Sequence, residues 1–367
     1  MIYRAIGVMS GSSLDGLDIA FAEFQENAGK WNYEIRQANC YSYDQNWNER
    51  LESATFLNGV DYQLLHVQYG HYIGEQVNKF IEEHGLQYQV ALIASHGHTT
   101  FHIPSKKMTA QLGDGASIAA ETQLPVVTDL RALDLAFGGE GAPIVPIGEK
   151  WLLGDFDFFL NLGGIANISF RSEPYIAFDV CPANRVLNML IRKEGREFDD
   201  KGKMAERGEV NVELLQKLNA LDYYQRPYPK SLANGFGTDT VYPMIADSGC
   251  KTKDALRTYV EHIVTQIKLA IVNYQLANDA RSTLNRQLLV TGGGAFNSFL
   301  INRLTEELKE LQIAVVVPDE NLIRFKEAMI MAFMGVLRWR QEYNVLSSVT
   351  GASRDSIGGA LWIGQEA

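Results

Sequence analysis

Twice in this chain a short apolar run stops at a glycine turn and then starts again. Residues 2–9 read as a strand and 17–24 as a second, with Gly11 and Gly16 in the polar stretch between them. Phe158-Phe159-Leu160-Asn161-Leu162 reads as a strand, Gly163-Gly164 as its turn, and Ile165 to Phe170 as the return. Apolar runs of this length bounded by glycine are strand signals. A third turn, Gly292-Gly293-Gly294, follows the run Leu288-Leu289-Val290-Thr291 and leads into a helical pattern over 298–311. Further strands are expected at 31–39, 90–95, 124–128, 175–179 and 312–317, and helices at 61–84, 254–277 and 326–340. Strands alternating with longer helices indicate the α/β class. A large unit recurs once in each half and no short period is present, which excludes a solenoid.

Length agrees with two units, since 367 residues at ~150 per domain give about two. The cluster Gly138-Gly139-Glu140-Gly141-Ala142-Pro143 is the best junction, giving lobes over 1–145 and 146–367. The segment 345–367 is a candidate to fold back onto the first lobe. A net charge of −11 argues against nucleic acid and against anionic lipid, because both need a basic face. Cys40, Cys181 and Cys250 show no CxxC spacing, which suits a reducing compartment and offers no thiolate metal site. The first residues lack a signal-peptide pattern, and no apolar run reaches the ~18 residues of a membrane span. A cytoplasmic protein is therefore expected.

The segment from Gly7 to Asp18 carries Gly11, Ser12, Ser13, Asp15 and Gly16. Small residues let a backbone approach a phosphate, and N–H groups with hydroxyls can line it. The same residues also suit an ordinary hairpin turn. Neither a Rossmann Gly-x-Gly-x-x-Gly unit nor a Walker A motif is present. Three glycine turns at strand ends, two on hairpins and one before a helix, resemble the pattern of the actin/hexokinase/Hsp70 ATPase fold. His96, His98 and His102 invite a metal reading, but Pro104 and the intervening threonines argue against a helix, so hydrogen bonding is favoured. The apolar stripe at 259–274 suits a core or a homodimer interface.

Across nearly its whole length the chain resembles the anhydro-N-acetylmuramic acid kinase family. Residues 7–18 resemble the family's opening signature, with Ser12 where threonine is usual. Ser95-His96-Gly97-His98-Thr99 resembles its His-Gly-Gln-Thr segment, with His98 in place of glutamine. Gln111-Leu112-Gly113-Asp114, Asp129-Leu130-Arg131 with Asp134, and 138–143 follow in order, with Glu140 in place of the common glutamine. Asn161 to Asn167, Pro229-Lys230-Ser231, Gly292 to Asn297, Glu327-Ala328 and Ser348 to Ala352 resemble the later blocks.

The resemblance implies two actin-like (ribonuclease H-like) lobes with a central ATP/sugar cleft. It also implies an enzyme that uses ATP, Mg²⁺ and water to open a 1,6-anhydro amino sugar and phosphorylate O6. Asp179 then corresponds to the base that takes the proton of the attacking water; capping of the next helix is the bland alternative. Gly11, Ser12, Ser13, Asp15, Gly16, Gly163, Gly164, Asn167 and Gly292 to Gly294 would hold ATP, with Asp15 reaching Mg²⁺ through water. His96, Arg131, Asn184 and Glu327 would meet the sugar. A guanidinium fork at Arg131 suits the lactyl carboxylate or a phosphate; a salt bridge with Asp129 or Asp134 is the alternative. After Asp179 the family usually has Thr-Gly-Pro-Gly-Asn, where this chain has Val180, Cys181, Pro182, Ala183 and Asn184. Asn188 stands where a second aspartate is common, and Leu232-Ala233-Asn234-Gly235 departs from a usual glycine-arginine-glutamate run. These departures leave a second reading open, a non-catalytic or altered-specificity sugar-binding sensor of the same fold.

Overall fold

The computed structural model describes residues 1–11, 14–228, 230–233, 235–277 and 286–364. The chain divides into two compact units, Met1–Gly154 with Phe325–Ala367, and Asp155–Arg324.

In the first unit β1 (Ile2–Ser10) pairs antiparallel with β2 (Leu17–Asn27), and β2 antiparallel with β3 (Lys30–Tyr41). On its other side β1 is parallel to β4 (Leu92–Ile103), and β4 is parallel to β6 (Val126–Thr128). The strand β5 (Met108–Leu112) folds back on the end of β4, and β12 (Ala360–Trp362) closes the edge against β6. One face of the sheet packs against the helix Gly59–Glu83, whose Leu65, Tyr69, Ile73, Val77 and Phe80 recur at helical spacing. Asn58 starts that helix by accepting from the N–H groups of Val60 and Asp61. The other face takes the helix residues from Phe325 onward: Phe333 meets the rings of Phe24 and Trp31. Gly7 lies so close to the backbone of Ala328 that no Cβ fits there. That approach sets the helix, and with it Glu327, beside the end of β1.

In the second unit β7 (Phe158–Leu162) pairs antiparallel with β8 (Ile165–Phe170), and β8 antiparallel with β9 (Ile176–Pro182). Parallel strands β10 (Arg286–Thr291) and β11 (Ile313–Val316) complete the sheet beyond β7. The helix Thr252–Ala277 buries Tyr259, Val260, Ile263, Val264, Ile267, Ile271 and Tyr274 against the sheet. At about 1.5–3 kcal/mol for each large apolar side chain removed from water, this stripe is a main source of the unit's stability. The stripe at 259–274 is therefore core.

Both sheets have the same order, with three antiparallel strands (third, second, first) followed by two strands parallel to the first. That is the ribonuclease H-like order the resemblance implied. The unit bounds, 154/155 and 324/325, differ from the 145/146 bound that the glycine cluster suggested, and the returning segment starts at Phe325, ahead of the expected 345–367. Burial explains the difference. The helix Pro146–Leu152 packs on β3, and its Glu149 forms an ion pair of 3.1 Å with Lys326, both side chains buried. Removing one partner of such a pair costs about 3–5 kcal/mol, so this helix is tied to the first unit. Among the described residues no helix is long and apolar enough to cross a membrane.

Candidate active site

In the first unit β4 is the organising element. Its Gly97 has φ +71, and a Cβ there would strike the carbonyl oxygen of Leu112. The strand bulges at this point, so His96 and His98 are both buried. His96 Nδ1 lies 2.8 Å from the carbonyl oxygen of Gly97, and its Nε2 accepts from Arg131 Nε at 2.8 Å. These partners require an Nδ1–H tautomer. Burial, helped by the Arg131 charge, pushes the imidazole down to about 3, so it stays neutral. Arg131 Nη1 donates to the carbonyl oxygen of Gly141 at 2.6 Å. Burial brings the guanidinium down to about 10, opposed by the carboxylates of Glu327 and Asp134. Arg131 is thus held from two sides, with the Glu327 carboxylate near enough to favour its charged form.

The expected alternative for Arg131, a salt bridge with Asp129 or Asp134, is not what forms. Asp134 is fully buried and spends its carboxylate elsewhere: Oδ2 accepts from the Gly141 N–H at 2.8 Å, Oδ1 from the Thr350 hydroxyl at 2.7 Å. It ties the 138–143 loop to the C-terminal segment. Asp129 is exposed and accepts from Thr128 Oγ1. The three imidazoles that invite a metal reading go three ways: His96 to Arg131, His98 to Ser10, and His102 to Thr109. The loop leaving Ser10 carries Gly11, then exposed Asp15 between Leu14 at φ +58 and Gly16 at φ +158. Ser12 and Ser13 lie outside the described residues, as do Pro229 and Asn234.

In the second unit Asp179 sits on β9, half-buried. Its Oδ2 accepts from the Leu232 N–H at 2.8 Å and its Oδ1 from Asn167 Nδ2 at a long 3.4 Å. The Tyr223 hydroxyl holds the backbone oxygen of Asp179 at 2.7 Å. Asp179 therefore caps no helix. Burial raises its carboxyl above the ordinary range, although both hydrogen bonds pull the other way. A carboxylate with one weakly engaged oxygen and a raised proton affinity is suited to take a proton. Lys230 lies over the Tyr223 ring and is pulled below its usual range by burial. Leu232 and Tyr223 also line a pocket of about 520 Å³ together with Arg226, Ser231, Phe236 and Thr240.

The remaining glycine turns of this unit pack on one another. Gly292, at φ +80, has no room for a Cβ against Asn161 and the Leu162 backbone, and Gly294 lies close on Leu162. Asn184 braces the same place: its Nδ2 donates to the Leu162 oxygen at 2.8 Å and its N–H to the Gly163 oxygen at 3.1 Å. The structure thus groups Asn184 with Gly163, Gly164 and Gly292 to Gly294. The departures after Asp179 are absorbed by the core, because Val180, Cys181 and Ala183 are buried and none has positive φ.

Sequence reasoning did not find the Asp134–Thr350 bond, the His96–Arg131 pairing or the Leu232 N–H on Asp179. These contacts join residues far apart in the chain. Only the glycines at 138, 139 and 141 signalled that the neighbourhood of Asp134 needed an anchor.

The family "Anhydro-N-acetylmuramic acid kinase" matches residues 3–364. The anhydro-N-acetylmuramic acid kinase of Photobacterium profundum is 31% identical over 381 residues, covering 98% of this chain and 99% of that protein. That of Aliivibrio fischeri is 32% identical over 380 residues, with 98% and 99% covered. Among solved structures, the activator of the 2-hydroxyisocaproyl-CoA dehydratase from Clostridium difficile with bound ADPNP is 11% identical, covering 92% of this chain and 96% of that one. Its TM-score of 0.43 is too low to bear on the fold. With a match from residue 3 to residue 364, the chain belongs to the anhydro-N-acetylmuramic acid kinase family.

Proposed function

We propose that this protein is an ATP-dependent kinase that opens 1,6-anhydro-N-acetylmuramic acid with water and phosphorylates O6, giving N-acetylmuramic acid 6-phosphate. One observation carries the reading: a half-buried carboxylate, Asp179, with raised proton affinity and one weakly engaged oxygen, in a chain of this family. Asp179 takes a proton from water as the water oxygen bonds to C1 and the C1–O6 bond breaks. O6 attacks the γ-phosphorus, the bond to the bridging oxygen breaks, and ADP leaves. The proton is released, so atoms and charge balance.

Backbone N–H groups of the 11–16 and 163–164 turns would face the phosphates, and the 292–294 turn the adenosine. Asn167, bonded to Asp179, would keep the base beside the phosphate hairpin. Asn184 would act by holding two of these turns together rather than by touching the sugar. Arg131 would take the lactyl carboxylate, with His96 fixing its orientation and Glu327 binding a sugar hydroxyl. Asp15 fits a magnesium site, being an exposed loop carboxylate with no hydrogen-bond partner among the described residues. Mg²⁺ prefers a carboxylate or two together with phosphate oxygens, and when bound it neutralises charge on the triphosphate.

Incubation with ATP and 1,6-anhydro-N-acetylmuramic acid tests the reading. Equal amounts of ADP and N-acetylmuramic acid 6-phosphate are expected. Binding of both ligands without turnover would favour a sensor, but no observation in the structure favours it.

A further inference from the structure

Four buried polar side chains lie under the start of the Gly11–Gly16 loop. Ser10, the last residue of β1, is 3% exposed, His98 6%, Tyr43 7% and Tyr69 0%. The Tyr43 hydroxyl donates to Ser10 Oγ at 2.8 Å and lies 2.6 Å from the Tyr69 hydroxyl; Ser10 Oγ lies 3.2 Å from His98 Nδ1. Each hydroxyl has one proton to give. Tyr43 gives its proton to Ser10, so Tyr69 donates to Tyr43. The Ser10 hydroxyl keeps its own proton, and His98 Nδ1 is within reach to accept it. That direction needs His98 to carry its proton on Nε2, the opposite tautomer from His96 one bulge away.

The backbone is built to bring these groups together. β1 and β4 keep regular parallel register from Ala5 opposite Leu92 to Val8 opposite Ser95. Continued unchanged, that register would place Gly97 opposite Ser10. Instead the strand shifts, and His98 stands opposite Ser10. Gly97, left-handed and without space for a side chain, takes up the extra residue.

We propose that His98 is a positioning residue for ATP: it fixes the Ser10 hydroxyl, and so the point from which the phosphate-facing loop departs. This rests on the reading of residues 11–16 as a phosphate loop. A loop held in its bound shape beforehand binds more tightly than one that must be ordered. Without His98, the Ser10 hydroxyl loses its partner on β4 and the start of the loop relaxes.

The experiment compares wild type, His98→Ala, His98→Gln and Ser10→Ala in the full chain. It reads the Kd for ATP by calorimetry, KM for ATP and for the sugar, and thermal stability. His98→Ala is expected to weaken ATP by about tenfold, the factor that loss of one buried acceptor sets. KM for the sugar stays unchanged, and His98→Gln, whose amide oxygen can accept, returns ATP affinity to near wild type. Ser10→Ala reproduces the ATP defect and decides the matter if His98→Ala does not fold. Nitrogen-15 NMR should find His98 as the Nε2–H tautomer. Unchanged ATP affinity in both alanine variants, equal loss for ATP and sugar, no rescue by glutamine, or an Nδ1–H tautomer would each overturn the proposal. Wild type that binds ATP but does not turn over the sugar would contradict the activity alone, and the Kd values would still decide the role of His98. Wild type that binds no ATP would overturn both.

Discussion

Replacing Arg131 with lysine keeps the charge and removes the fork. In the structure the guanidinium uses two different nitrogens, Nε to His96 and Nη1 to Gly141, at 2.8 and 2.6 Å. A single ammonium cannot reproduce both directions, so at least one charged hydrogen bond is lost. Such a bond contributes about 1.5–3 kcal/mol, and the buried His96 Nε2 would be left without a donor. At 1.4 kcal/mol per factor of ten, kcat/KM for the anhydro sugar should fall by about 10- to 150-fold. The assay is steady-state kinetics on the sugar with its lactyl group and on the same sugar without it. If Arg131 reads the carboxylate, the loss falls mainly on the lactyl substrate. An equal loss on both would refute that role, and wild-type kinetics would refute the importance of the fork altogether. His96 gives an independent readout: it should stay neutral in wild type from pH 5 to 8, because its proton affinity is pushed down to about 3.

Three further outcomes follow from the same geometry. Gly292→Ala places a Cβ at φ +80 against the Leu162 backbone, a strain of about 1–3 kcal/mol, and should lower both thermal stability and ATP affinity. Asp15→Asn should raise the Mg²⁺ concentration needed for half-maximal rate and leave KM for the sugar unchanged. For pH, burial raises the Asp179 carboxyl, so its charged form destabilises the fold and protonation relieves this as pH falls. The base must be charged to work, so the rate should drop on the acid side at a pH above the ordinary carboxylate value of about 4. Over the same range, stability from this group should rise.

Much of the architecture could be read locally. Both hairpins, the long helix at 252–277 and the strand before Gly292 follow from apolar spacing and glycine placement alone. The expected strand at 90–95 proved to be Leu92–Ile103, because a bulge at Gly97 carries the ladder through a polar His-Gly-His-Thr stretch that looks like loop. The short strands β5 and β12 give no periodic signal; they exist because β4 and β6 offer them edges. Site residues were found by their kind, and their partners were not. Asp134 and Thr350 are 216 positions apart, and Asp179 and Leu232 are 53 apart, so only the folded chain shows what each carboxylate holds. Asn184 shows the same limit: its chemistry suits a sugar, and its neighbours are the glycine turns.

In the proposed reaction Asp179 directs water to C1 of the sugar while O6 receives the phosphoryl group. Turnover of 1,6-anhydro-N-acetylmuramic acid with ATP in H₂¹⁸O, quenched before anomeric exchange and read by mass spectrometry, tests it most directly. One heavy oxygen on C1, none in the phosphate, and loss of product in Asp179→Asn, which keeps an acceptor for the Leu232 N–H, are expected. Heavy oxygen in the phosphate, an unlabelled sugar phosphate, or full activity in Asp179→Asn would contradict it.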